Sequence, residues 1–119
     1  MTEDEMREIC LSFPGVAEGS SYGQPAFLVN KKFFTRFRRA DASMVLMEVS
    51  IDEREMLMEA EPKTFHITAH YKDYPSVLAR IATLHPGSFK NFLERRWRKI
   101  AQKKDVKAFD AAAKNLARA

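Results

Sequence analysis

Cysteine is almost missing from this chain of 119 residues: Cys10 stands alone. One thiol excludes an internal disulfide framework and a cysteine-built zinc site. Its expected place is a buried helix face, where a free thiol behaves as a small apolar group. Long apolar runs are missing too. No stretch approaches the roughly 20 residues that a membrane-spanning helix needs. The opening MTEDEMREICLSF is acidic where a secretory signal would be basic, and it holds no long apolar region. The expected location is therefore the cytoplasm, with no membrane partner. There is no glycine-rich phosphate loop, no dinucleotide fingerprint and no H-E-x-x-H pattern. No internal repeat, low-complexity segment or second domain stands out, so residues 1–119 read as one domain.

What is present suits a globular fold. Hydrophobic residues make up 45% and charged residues 30%, which is neither disordered nor fibrous. The length allows one core without staples. The net charge of +4 is unevenly spread. Residues 31–39 hold five bases and no acid, residues 41–61 hold seven acids and one base, and residues 86–104 hold seven bases and one acid. A polarised surface that attracts an anionic partner is one consequence. A solvated helix face beside a charge-protected strand is the other.

Thr2-x-x-Glu5 is a capping-box pattern, and Met6, Ile9, Cys10 and Phe13 recur at helical spacing, which predicts a helix over Glu3–Ser12 ended by Pro14-Gly15. Ala17–Gln24 reads as a loop. A strand over Ala26–Val29, a two-residue turn at Asn30-Lys31 and a strand from Lys32 to Arg38 or Arg39 make a hairpin. Alternation along the second strand sends Phe33, Thr35 and Phe37 to the core and Lys32, Phe34, Arg36 and Arg38 to the other face. Ala40–Ser43 is the next turn, followed by a strand over Met44–Val49. A helix over Asp52–Ala60 is capped at Ser50 or Asp52, turns Met56, Leu57 and Ala60 inward, and stops before Pro62. Strands follow over Thr64–Ala69 and Ser76–Thr83. His85-Pro86 opens a helix whose apolar stripe is Phe89, Phe92, Leu93, Trp97 and Ile100. Arg96 falls inside that stripe, so its stem should pack while its head snorkels out to water or meets a carboxylate, with anion binding as the sharper alternative. Asp105 caps a last helix with Val106, Phe109, Ala113 and Leu116 on one side.

Catalytic chemistry has little to stand on: no nucleophile with a base, no paired carboxylates and no metal cluster are legible, so no catalytic residue, metal or cofactor is assigned. His66 and His70 lie on a strand and its exit, where four-residue spacing does not make side chains converge. Binding has more support. Bases interleaved with aromatics on a sheet suit nucleic acid, since Lys and Arg neutralise phosphates and an exposed ring stacks on a base. The candidates are Lys31, Lys32, Arg36, Arg38 and Arg39 with Lys90, Arg95, Arg98 and Lys99 of the third helix. Edge strands also carry bases merely to prevent aggregation.

Phe13-Pro14-Gly15-Val16, then Tyr22-Gly23-Gln24-Pro25-Ala26-Phe27, then Lys31–Phe34 and the capped helix at Asp52–Leu57 resemble the MmcQ/YjbR family. That family carries an L-P-G-V-type segment, a W-G-x-P-x-F-type corner and a G-K-x-F-type hairpin. This chain has Phe13 for Leu, Tyr22 for Trp and Asn30 for Gly, and it departs at Tyr74-Pro75, where a Gly-Trp-type strand start is common. The resemblance implies an α+β two-layer sandwich. An antiparallel sheet would carry helices on one face, similar to type III secretion chaperones and loosely to bacterial frataxins. It implies that Gly23 and Pro25 shape the corner while Tyr22 and Phe27 pack beside it. Members are often described as DNA-binding, with two hairpin loops as wings. A DNA or other anionic partner is the first expectation, and a chaperone-like protein-interaction module is the rival, with apolar surface mattering more than charge.

Overall fold

The computed structural model describes residues 1–118. Its elements are α1 (Glu3–Leu11), β1 (Val16–Ser21), β2 (Gln24–Val29), β3 (Lys32–Arg38), β4 (Ser43–Met47), α2 (Ile51–Ala60), β5 (Phe65–His66), β6 (Ser76–Arg80), α3 (Pro86–Ile100) and α4 (Lys103–Arg118). The six strands form an antiparallel sheet in the order β1-β2-β3-β4-β6-β5, with helices packed on one face. This is the expected α+β sandwich. No helix is long and apolar enough to cross a membrane among the described residues.

Local signals act as read at several points. Thr2 and Glu5 form the reciprocal capping box of α1. Ser50 Oγ caps α2 by accepting from the Glu53 N–H at 3.1 Å. His85 caps α3, with Pro86 in its first turn. Asn30 and Lys31 both adopt positive φ (53° and 63°), the requirement of a type I′ hairpin turn. The Asn30 side chain also donates to the Ile100 carbonyl at 3.1 Å, tying the turn to the end of α3.

The helix-side core holds Phe27, Phe34, Phe89 and Trp97, all fully buried. Burying each such ring contributes about 2–3 kcal/mol. Trp97 is the centre. It packs on Phe13 and Phe109, and its indole N–H donates to the Pro14 carbonyl at 2.9 Å, satisfying a polar group that burial would otherwise strand. Cys10 is fully buried against the same core, and burial pushes its thiol pKa far up, so the inert reading holds.

Four expectations need correction. Val16–Ser21 is an edge strand, where a loop is expected over Ala17–Gln24. Its mostly small, polar side chains carry no apolar alternation; backbone pairing with β2 recruits it, helped by Val16 against the core and by Arg7 of α1 holding Glu18 at 3.0 Å. β5 has only two residues, because the chain leaves the sheet after His66 and runs through a 3-10 turn at Ala69–Tyr71. In β3 the register shifts, with Phe27 opposite Thr35 and Leu28 opposite Phe33. That bulge puts Phe34 and Thr35 on the buried side and leaves Phe33 on the far face with Arg36 and Arg38. The expected alternation has these two phenylalanines exchanged. Lastly, α2 turns Arg54, Leu57 and Met58 inward, while Met56 is 68% exposed.

Arg54 is only 4% exposed and has no carboxylate within 4 Å among the described residues. Its Nη1 donates to the carbonyls of Tyr71 (3.3 Å), Tyr74 (3.1 Å) and Ser76 (3.2 Å), and its Nη2 to that of Lys72 (3.0 Å). A planar guanidinium can address several acceptors at once, which an ammonium cannot. Arg54→Met should therefore destabilise the fold by about 2–4 kcal/mol, since hydrogen bonds to a charged group contribute about 1.5–3 kcal/mol each but are partly replaced by water. Arg54→Lys should recover less than half of that loss. Chemical denaturation of the three proteins checks this, and a fully stable Lys variant would show that charge alone suffices.

Candidate functional site

Pairing fixes which side chains share the sheet face away from the helices. Leu28 lies opposite Phe33, Ala26 opposite Arg36, and Gly19 opposite Ala26. On β4 and β6, Val45 pairs with Leu78, and both are fully buried although they point away from the helix-side core. The segment following β5 crosses this face near them and leaves a groove of about 350 Å³ at its edge. The floor is Phe33, Arg36, Val45 and Met47; the wall is His70, Tyr71 and Tyr74; Ser21 closes one end. The wall is held from behind by the Arg54 bonds to its backbone. His70 meets the Tyr71 ring edge-on at 4.7 Å between centroids.

Two arginines distinguish this face. Arg38 pairs with Asp41 at 3.0 Å and lies over the Tyr71 ring at 5.8 Å from its centroid. Arg36 has no ion pair among the described residues, and its Nε is buried with no hydrogen-bond partner. Among the described residues no carboxylate lines the groove. The buried Nε thus bears a desolvation cost that no bond offsets.

The nine candidate bases do not gather on one face. Arg36 and Arg38 lie on the groove side. Arg39 is exposed just past β3, its backbone N–H donating to the Gln24 side chain, so the β3–β4 turn sits beside the β1–β2 turn. Lys31 and Lys32 are exposed at the opposite end of β3, next to the end of α3. The α3 bases belong to the helix layer, and most are engaged. Arg95 makes a bidentate pair with Glu53 (2.7 and 3.2 Å), Arg98 holds Glu94 (2.9 Å) and Asp110 (2.8 Å), and Lys99 holds Glu48 (2.9 Å). Arg96 donates to the Phe33 carbonyl at 2.7 Å and reaches Glu48 at 3.6 Å, the carboxylate expected for it. Lys90 is exposed and has no ion pair among the described residues.

The corner residues divide. Tyr22 and Gly23 form the β1–β2 turn with φ of 53° and 75°, again the type I′ pattern. Phe27 is in the core, as expected, and Pro25 sits half-buried in β2. Tyr22 does not pack beside the corner; it is 92% exposed, because the tight turn throws it outward. Tyr71, Tyr74 and Trp97 are aromatics that the sequence offers as pocket lining or as core; the two tyrosines line the groove, Trp97 is core, and Arg54 is the member of the site that sequence reasoning missed. The available signal was an arginine one turn before Leu57 on the inward side of α2.

Ser43, His66 and Asp41 look like a catalytic set and are not arranged as one. Ser43 Oγ (2.8 Å) and Asp41 Oδ2 (3.8 Å) both face the same ring nitrogen, Nε2, so the carboxylate does not orient the base from its other side. Ser43 is also fully buried. His66 and His70 do not converge, since His66 faces Ser43 while His70 stacks with Tyr71 and Tyr74. Among the described residues no three His, Cys, Asp or Glu side chains come together as a metal cage.

The family model of YjbR matches residues 11–99, most of the chain. The chain belongs to the YjbR family. Comparison with curated proteins and with solved structures gives no match. The YjbR match includes every residue of the groove and ends before α4.

His66 carries a pH signature. Burial holds its pKa below the ordinary 6.5, the Arg80 and Arg38 charges act in the same direction, and Asp41 opposes them. The unfolded chain therefore takes up a proton near the ordinary value that the folded chain refuses. Stability falls as pH drops through about 6.5 and rises again with pH across that window. Melting curves from about pH 7.5 to about pH 5.5 should show this fall, and His66→Gln should flatten it. An unchanged slope in the variant would assign the effect to other groups.

Proposed function

We propose that this YjbR chain is a non-catalytic binding domain that holds nucleic acid, DNA first, against the sheet face away from its helices. Arg36, Arg38 and Arg39 meet phosphates there, while Phe33 and Tyr74 offer rings to bases. The observation that carries the reading is Arg36, a guanidinium with no acidic partner in an aromatic groove. Phosphates supply most of the affinity in such complexes, and stacking adds about 1–3 kcal/mol per base. Lys31 and Lys32 form a second, separate basic point at the far end of β3. Arg95, Arg98 and Lys99 are left out of this interface because α3 belongs to the helix layer on the other side of the sheet, where they face Glu53, Glu94, Asp110 and Glu48.

A protein-interaction module is the second reading. Leu28, 42% exposed on the same face, and the fully displayed Tyr22 favour it. Salt separates the two. Phosphate contacts release counterions, so three of them should weaken DNA binding by roughly 10- to 100-fold between about 50 and about 200 mM salt. Apolar docking should hardly respond.

Titration of a labelled mixed-sequence DNA at those two salt concentrations is the test. Wild type should bind with a micromolar Kd at low salt. Arg36→Glu combined with Arg39→Glu should abolish binding, and Arg98→Gln should leave it unchanged. Absence of binding at low salt rejects the nucleic-acid reading, and salt-insensitive binding transfers the site to a protein partner.

A further inference from the structure

The groove is too small and too one-sided to receive paired bases. We propose that it takes one unpaired nucleobase, so that the domain prefers single-stranded DNA to continuous duplex; this rests on the nucleic-acid reading above and names its substrate class.

Size is the first ground. About 350 Å³ lies at the lower end of small-ligand pockets, with room for one planar unit and part of its sugar. The second ground is the rings. Phe33 forms the floor, and Tyr71 and Tyr74 the wall, with Tyr74 54% exposed and free to lie over a base. Inside a duplex both faces of every base are already stacked on neighbours. Only an unpaired base can present its face to protein aromatics.

Arg36 supplies the third ground. Its cross-strand neighbour is Ala26, and the next residue across is Gly19, where an added Cβ would meet nothing within 4 Å. These small side chains leave an open lane over β1 and β2 beside the guanidinium. A sugar-phosphate backbone can leave the groove along that lane with its first phosphate on the outer nitrogens of the Arg36 guanidinium, which have no ion pair among the described residues and, unlike Nε, are not buried. The wall is preorganised, since four hydrogen bonds from the buried Arg54 fix the backbone of Tyr71–Ser76 before any ligand arrives. Binding therefore orders the strand and not the protein.

A short thymidine oligonucleotide carrying one 2-aminopurine, alone and annealed to its complement, is the probe. Stacking quenches 2-aminopurine emission, so the single strand should lose emission on binding and bind about tenfold more tightly than the duplex. Tyr74→Ala should weaken single-strand binding about tenfold and duplex binding less than about twofold. Tyr74 is solvent-facing, so its truncation opens no core cavity; circular dichroism verifies the fold. Arg36→Gln should lower the log–log salt slope for the single strand by about 0.7, the value of one lost phosphate contact. Equal affinity for both forms, unquenched emission or an inert Tyr74→Ala overturns the pocket. If Arg36→Glu with Arg39→Glu still abolishes that binding, the interface on this face survives. If neither DNA form binds at low salt, both readings fall together.

Discussion

The buried guanidinium of Arg54 is the constraint on which the functional face depends. Four backbone carbonyls of the segment Tyr71–Ser76 converge on it. That segment contains almost no regular structure, so without Arg54 these carbonyls would depend on water to replace the lost bonds. With Arg54 in place the segment is pinned across the sheet, Val45 and Leu78 are covered, and Tyr71 and Tyr74 stand as a wall above Phe33. A charge buried without a carboxylate is costly unless dipoles surround it. Here the acceptor carbonyls meet that requirement at Nη1 and Nη2, with Nε left unpartnered, and the same bonds shape the groove.

A second constraint is the bulge in β3. One extra residue opposite β2 turns Phe34 and Thr35 to the same side, where Thr35 Oγ1 donates to the Val45 carbonyl at 2.7 Å. Phe33 is thereby released to the far face. Bulges re-aim side chains in this way and are favoured next to sites. Without it, Phe34 and Arg36 would share a face, so either Phe34 would leave the core or Arg36 would face the helices.

Charge pairing explains why basic segments far apart in sequence do not sum to one surface. Glu48, at positive φ between β4 and α2, gathers Arg96 and Lys99, and its carbonyl receives Arg95 at 3.1 Å. Glu53 and Asp110 take up Arg95 and Arg98. The acids of residues 41–61 thus neutralise much of the basic third helix across the molecule. On the opposite face Asp41 holds Arg38, while Arg36 makes no ion pair among the described residues.

Much of the fold was legible because its signals are local. Helix caps, the Asn30-Lys31 turn, the apolar stripe of α3 and the inert Cys10 each depend on residues within a turn or two of one another, and the family resemblance rested on similarly short stretches, Phe13–Val16, Tyr22–Phe27, Lys31–Phe34 and Asp52–Leu57. The edge strand β1 was not legible, since its side chains bury almost nothing and its stability comes mainly from hydrogen bonds to β2. The candidate site was legible only in part. Arg36, Arg38 and Arg39 stood out as bases, but their separation from Arg95, Arg98 and Lys99 depends on which carboxylates the helices bring near. The sequence by itself determined the α+β layers, through periodicity and capping. Tertiary structure alone decided that Phe33 and not Phe34 meets Arg36, and that Tyr71 and Tyr74 join them. The reason is physical: a register shift and a buried arginine act between segments distant in the chain, where no local pattern records them.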